Sequence, residues 1–201
     1  MEAIDSRTAI KGLALDLLVR AGYRGMSFGA IAGALGVTRA NIHYHFGSKA
    51  GLVDAVLAEY VEVTLARLAA IWDDEQASLA DKLDATLAHS RERFRHFNDG
   101  DGPPRPWSLI SRLRQDEELL TPAGRARLRH FTAELSRIFE RGLDRAARHG
   151  ELRPDLGVTP AAAATLFVVL ADNAAPITMA RNGFDGLAAA YATLTALVTG
   201  P

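Results

Sequence analysis

Arginine and asparagine are the side chains that pair bidentately with guanine and adenine. The segment RANIHYHF places one of each, Arg39 and Asn41, two residues apart. Each such pair discriminates against the wrong base by roughly 1–3 kcal/mol. Arg39 serves a backbone phosphate equally well, and both roles stay open for it. Ala40, between them, offers a methyl group to a thymine methyl. Tyr44 and His45 suit phosphate contact or packing along a groove, and His45 is also a residue type that caps a helix end. Lys49 brings a cation close to free backbone N–H groups at a helix start, a combination that attracts phosphate. The combined chemistry is that of a nucleic-acid contact, with base edges read and phosphates used for positioning.

Such groups work only if a rigid element holds them. Residues 27–52, SFGAIAGALGVTRANIHYHFGSKAGL, supply it. Ser27 caps a helix whose apolar positions Ile31 and Leu35 fall on one face. Gly36 makes the turn, since glycine enters the left-handed region without steric cost. Thr38 caps a second helix through about His45, and Ser48 caps a third that begins at Lys49. Ile42 and Phe46 are expected in the core beneath the second helix. This is a helix-turn-helix, whose second helix enters the major groove of DNA.

The rest of the 201-residue chain reads as helical nearly throughout, with no sustained period-two pattern. The expected fold is all-α with about nine helices, a head over residues 1–51 and a helical body over 52–201. Helix one should run from Ser6 to Ala21, with Ile10, Leu13, Leu17 and Ala21 as its buried stripe. Helix four extends to about Trp72, and helix five spans Ser78 to Phe97. Asn98–Pro106 is a loop dense in turn formers, and a short helix follows near Trp107–Arg114. Thr121–Pro122 and Thr159–Pro160 each pair an N-cap with a first-turn proline, opening helices to about His149 and Arg181. Pro176 should bend the second of these. A last helix covers Asp185–Val198. The net charge of −1 divides unevenly: residues 1–52 hold six bases against three acids, and the remainder 17 against 21. A basic head on an acidic body suits one end facing phosphates. With no cysteine there is no disulfide or thiolate chemistry. No signal peptide or membrane-length apolar run is visible, which gives a cytoplasmic protein without membrane partners as the expectation.

The stretch IAGALGVTRANIHYHFGSKAGLVDAVL resembles the DNA-binding region of the TetR family of bacterial transcriptional regulators. Ile31-Ala32, Leu35-Gly36-Val37, Ile42, Tyr44-His45-Phe46 and Ser48-Lys49 followed by Leu52 carry the likeness, which covers about residues 6–60. The resemblance implies a homodimer that offers one recognition helix per subunit to a palindromic operator. It also implies an effector pocket in the body and dimerisation through the last two long helices. By family position, the hydroxyls or N–H groups of Ser27 and Thr38 can also meet phosphate. Members of the family usually have a phosphate-binding tyrosine where this chain has His43. Here an imidazole N–H must do that work or leave it undone, and it can make phosphate binding depend on pH.

The body offers fewer signals. Phe94, Phe97, Trp107 and Phe131, with Phe139, are candidates for the wall of a small-molecule pocket or for ordinary core. His89, Arg93 and His96 share one face of helix five and suit an anion better than a metal. His43 and His45 lie about 200° apart around a helix and cannot chelate one ion. The helix from Thr159 is apolar almost all round, as expected for burial against its own core and a dimer mate. Asp172 and Asn173 interrupt it; Asn173 can meet a ligand, cross the dimer interface or satisfy carbonyls freed by the proline. No nucleotide loop and no zinc spacing is present, so the chain is expected to be no enzyme and to need no cofactor. The effector pocket should be mostly apolar with a few polar handles. Repression and activation are both compatible with these features.

Overall fold

In the computed structural model, residues 6–100, 102–153, 157–181 and 183–199 are described. Among them are ten α-helices: α1 Ser6–Gly25, α2 Phe28–Leu35, α3 Arg39–Phe46, α4 Lys49–Trp72, α5 Leu79–Phe97, α6 Leu109–Gln115, α7 Pro122–Arg148, α8 Pro160–Asp172, α9 Ala174–Ala180 and α10 Asp185–Val198. A 3₁₀ turn, Glu117–Leu119, follows α6, and the described residues contain no strand. The fold is all-α, as expected, with one helix more than the sequence suggested. The extra element arises because the helix opened by Pro160 breaks at Asn173, with a 55° bend between α8 and α9. Pro176 lacks an N–H and its ring excludes the carbonyl four residues back, that of Asp172, so the break falls one turn before the proline. Asn173 bridges the break by donating its side-chain amide to the Val169 carbonyl at 2.8 Å.

The chain forms two compact units, and their boundaries fall within α4, just before α6 and within α7. The first comprises residues 1–62 and 108–129; the second comprises 63–107 and 130–201.

In the first unit, Ile10, Ala14 and Leu18 of α1 are fully buried with Ile31, Ile42, Leu52 and Leu57. The buried stripe of α1 therefore runs i, i+4, i+8. The expected Leu13 and Leu17 are half-buried, and Ala21 is exposed. The cause lies in α6, whose Leu109, Ile110 and Leu113 are buried in this unit and which packs along α1. Gly22 is buried in a left-handed conformation (φ 72°). A Cβ there would lie 2.6 Å from Asp116 Oδ2. That carboxylate in turn accepts the Tyr23 N–H at 2.8 Å. Thr121 caps α7 by accepting the Gly124 N–H at 2.9 Å, and its own hydroxyl donates to Asp54 of α4.

The second unit is built around Trp72, Phe139 and Phe167. Ring centroids lie 4.6 Å apart for Trp72–Phe139 and 6.1 Å for Trp72–Phe167. The buried indole N–H of Trp72 donates to Thr86 Oγ1 at 2.8 Å, which removes the cost of burying it unpaired. Ser78 and Asp81 form a reciprocal capping box at the start of α5.

Candidate nucleic-acid interface

Local interactions build α2 and α3 as the sequence suggested. The Ser27 hydroxyl accepts the Ala30 N–H at 3.1 Å, and Thr38 Oγ1 accepts the Asn41 N–H at 3.1 Å. Gly36 adopts φ 65° and its N–H returns to the Ala32 carbonyl. Ile42 is wholly buried and pins α3 from beneath. Phe46, expected in the core, is only half-buried and carries the Arg7 guanidinium 5.3 Å above its ring.

The outer face of α3 carries the candidate contact residues. Thr38, Arg39, Ala40, His43 and Tyr44 are exposed, and Tyr44 is 85% accessible. An apolar ring that free of protein contact has packing to gain only from something outside this unit. The Arg39 guanidinium lies beside α2, where a Cβ on Gly29 would come within 2.7 Å of it. Asn41 is half-buried, and its Oδ1 accepts the Ser6 hydroxyl proton at 3.0 Å. That contact fixes the amide plane and turns one lone pair inward, leaving the NH2 group and a second lone pair for a base edge. Sequence reasoning did not find Ser6, because nothing local links it to a residue 35 positions away.

His43 stands edge-on to Phe28 at 4.9 Å, and its Nδ1 lies 2.9 Å from the Gly47 carbonyl. A carbonyl oxygen only accepts, so Nδ1 carries the proton of the neutral ring. Nε2 is then a bare acceptor, and only the imidazolium form can donate from Nε2 to a phosphate. His45 is half-buried, with its ring 5.4 Å from that of Tyr44.

At the start of α4, Ser48 Oγ accepts the Gly51 N–H at 3.0 Å, and the Leu52 N–H reaches the Ser48 carbonyl. The N–H groups of Lys49 and Ala50 precede the first intrahelical bond and point out of the helix end, where the dipole favours an anion. Lys49 Nζ lies 4.7 Å above the Tyr23 ring. Partial burial lowers its pKa, and nearby Asp116 acts in the opposite direction. Asp116 thus touches the head twice, through the Tyr23 N–H and through the field at Lys49. Neither contact was visible from sequence spacing.

The body candidates are placed in the second unit as follows. Phe97 is fully buried, and Trp107 is buried with its N–H donated to Thr178 at 2.8 Å. Phe94 is half-buried, with ring centroids 6.3 Å from Trp107 and 5.4 Å from Phe184. Phe131 is buried and Asn173 is exposed. His96 is exposed and stacks edge-on against Phe97, whereas His89 faces a cleft between α4 and α5.

Residues 12–56 match the family model for bacterial regulatory proteins of the tetR family. No curated protein matches the chain. Among solved structures, a transcriptional regulator of the TetR family from Agrobacterium tumefaciens superposes with a TM-score of 0.85, at 22% identity over 96% of this chain and 97% of that one. The regulatory protein TetR from Rhodobacter sphaeroides gives 0.82 at 21% identity, over 96% and 99% of the two chains. A regulator from Saccharomonospora viridis, solved in complex with choline, gives 0.77 at 19% identity, over 98% and 99%. At these identities the structural matches speak to the fold, and the sequence match speaks to the head. Residues 12–56 thus carry the DNA-binding segment of the bacterial tetR-family regulators, and the chain shares the fold of solved TetR-family members.

Proposed function

We propose that the protein is a homodimeric, non-enzymatic repressor that holds a palindromic operator and releases it when a small, mostly apolar ligand binds the body. The carrying observation is α3, a capped helix locked from below by Ile42, with Arg39, Ala40, His43 and Tyr44 facing outward. In this reading Arg39 and Asn41 read bases and Ala40 meets a thymine methyl. Ser27, Thr38, His43, Tyr44, His45 and Lys49 hold phosphates. A chromosomal operator places the protein in the cytoplasm.

Dimerisation through α8 and α10 is supported by an uncharged exposed face. Ala162, Thr165, Leu166 and Val169 of α8 and Ala189, Ala192, Thr193, Ala196 and Leu197 of α10 are all exposed. Leu166, Val169 and Leu197 retain 49%, 54% and 50% of their surface. Apolar side chains so placed on two neighbouring helices call for a partner, and a second copy supplies the same surface to itself. Two α3 helices then dock when half-sites lie about 34–36 Å apart, or at multiples of that spacing. Release is supported by connectivity: α4 and α7 each have residues in both compact units, so a ligand-favoured state of the body has two helical routes to the head.

The test is selection of bound fragments from a genomic DNA pool, followed by binding at several salt concentrations. Enrichment of a palindrome that Arg39→Ala or Asn41→Ala weakens at defined positions supports the reading. Binding without any enriched sequence, lost uniformly as salt rises, refutes it.

A further inference from the structure

Within the second unit, the C-terminal part of α4 and the face of α5 bound a cleft of about 430 Å3, a volume in the range of small-ligand sites. Ile71, Ala85 and Ala88 give it small apolar walls, and Arg67, Lys82 and His89 line it with nitrogen. His89 Nε2 is buried and has no hydrogen-bond partner among the described residues. Burial first, then the nearby Arg93 and Arg67 cations, hold the His89 pKa below its usual value. Lys82 is only 4% exposed although it carries an ammonium group. It precedes His89 by seven residues, two turns or about 10 Å along the same side of the helix.

The acids of the cleft are largely committed elsewhere. Asp81 accepts from the Ser78 backbone and hydroxyl, and Asp74 accepts the Gln76 N–H. Beyond the lining, the carboxylates whose field reaches Lys82 are also held: Glu151 accepts the Leu79 N–H and Asp73 binds Arg141. Glu92 is exposed near the His89 end. What the cleft offers a visitor is donors at both ends and apolar wall between them. An unpaired buried imidazole nitrogen beside arginines is stabilised by an anion and not by a cation.

We propose that this cleft binds an amphipathic organic anion. Its carboxylate is held by Arg67 and His89 Nε2–H, its apolar body lies along Ala88, Ala85 and Ile71, and a hydroxyl or carbonyl oxygen at its far end reaches Lys82. The assignment rests on the reading of the body as effector-binding and adds the site and the ligand class.

The test is calorimetric titration of the full chain with three probes of one length: octanoate, 8-hydroxyoctanoate and 1,8-octanediol. Both carboxylates are expected to bind, the diol at least ten-fold more weakly, and the hydroxy acid more tightly than octanoate. Arg67→Gln, at an exposed position, should weaken both acids at least ten-fold, and Lys82→Met should erase the advantage of the hydroxyl. Binding of the diol as tight as that of octanoate, indifference to Arg67→Gln, or no binding of any probe overturns the assignment. Operator affinity measured with and without octanoate separates the two proposals. Octanoate bound in the cleft with operator affinity unchanged upholds the cleft and counts against ligand release; absent cleft binding leaves the repressor reading standing.

Discussion

Replacing Gly22 by alanine tests how the head is held together. The residue sits at φ 72° and ψ −175°, a region essentially reserved for glycine where an L side chain costs about 1–3 kcal/mol. The added Cβ would stand 2.6 Å from Asp116 Oδ2 and 2.9 Å from Arg112 Nε, so both side chains must move. A shift that frees the carboxylate forfeits the charge-assisted bond from the Tyr23 N–H, worth about 1.5–3 kcal/mol. Asp116 is half-exposed, so the lower end of that range applies. Alanine also restricts the unfolded chain, returning about 0.4–1 kcal/mol. The expected net loss is about 1.5–4 kcal/mol, measured by urea unfolding of the whole protein, with hydrogen exchange over α1 to localise it. The cycle with Asp116→Ala sharpens the result. Once the carboxylate is gone, its clash and its bond vanish together and only the Arg112 approach remains, so the double variant should lose clearly less than the sum of the singles. A loss below about 1 kcal/mol for Gly22→Ala, or strict additivity in the cycle, refutes the coupling of α1 to α6 through this contact.

Three further outcomes follow from the site and the body. His43→Tyr should tighten operator binding several-fold in fluorescence anisotropy, because the Nδ1 proton of the native ring is committed to the Gly47 carbonyl whereas a phenol can donate to phosphate; an unchanged affinity counts against that role. Leu166→Glu combined with Leu197→Glu should convert the dimer to monomer in sedimentation and abolish operator binding while leaving helicity intact; a dimer that persists rejects the α8–α10 interface. Burial raises the Tyr191 pKa, so the folded chain keeps a proton that the unfolded chain releases above about pH 10. Its contribution to stability is complete below that pH and is lost as pH rises further. Tyr191→Phe should therefore flatten the fall in melting temperature between pH 9 and pH 11, and cost little at neutral pH because the hydroxyl has no partner among the described residues.

The features legible in the sequence are those whose two halves lie within one helical turn. Ser27, Thr38 and Thr159 each cap from three residues away, and Gly36 closes α2 on its own backbone. Such contacts depend on residue type and spacing alone. The contacts that position the site are of the other kind. Ser6 reaches Asn41 across 35 positions, Tyr23 meets Asp116 across 93, and Trp107 meets Thr178 across 71. No periodicity announces them, because neither partner's local sequence carries a signal of the other. The α8–α9 break was half legible: Pro176 signalled a bend, but the end of the preceding helix is set by the carbonyl its ring excludes.

The excursion of residues 108–129 into the first unit matters to anyone who would move this head to another body. A graft cut at residue 51, or even at 62, would carry the whole recognition segment yet leave behind Leu109, Ile110 and Leu113, whose side chains complete its core. The transplanted piece would present raw apolar surface along α1 and invite aggregation. A working chimaera needs three junctions, at 62/63, 107/108 and 129/130, and must bring α6 and the first turns of α7 with the head. Inheritance of DNA specificity by simple exchange of a leading cassette is thereby obstructed, and new operators are more accessible to this chain by substitution on α3 than by recombination.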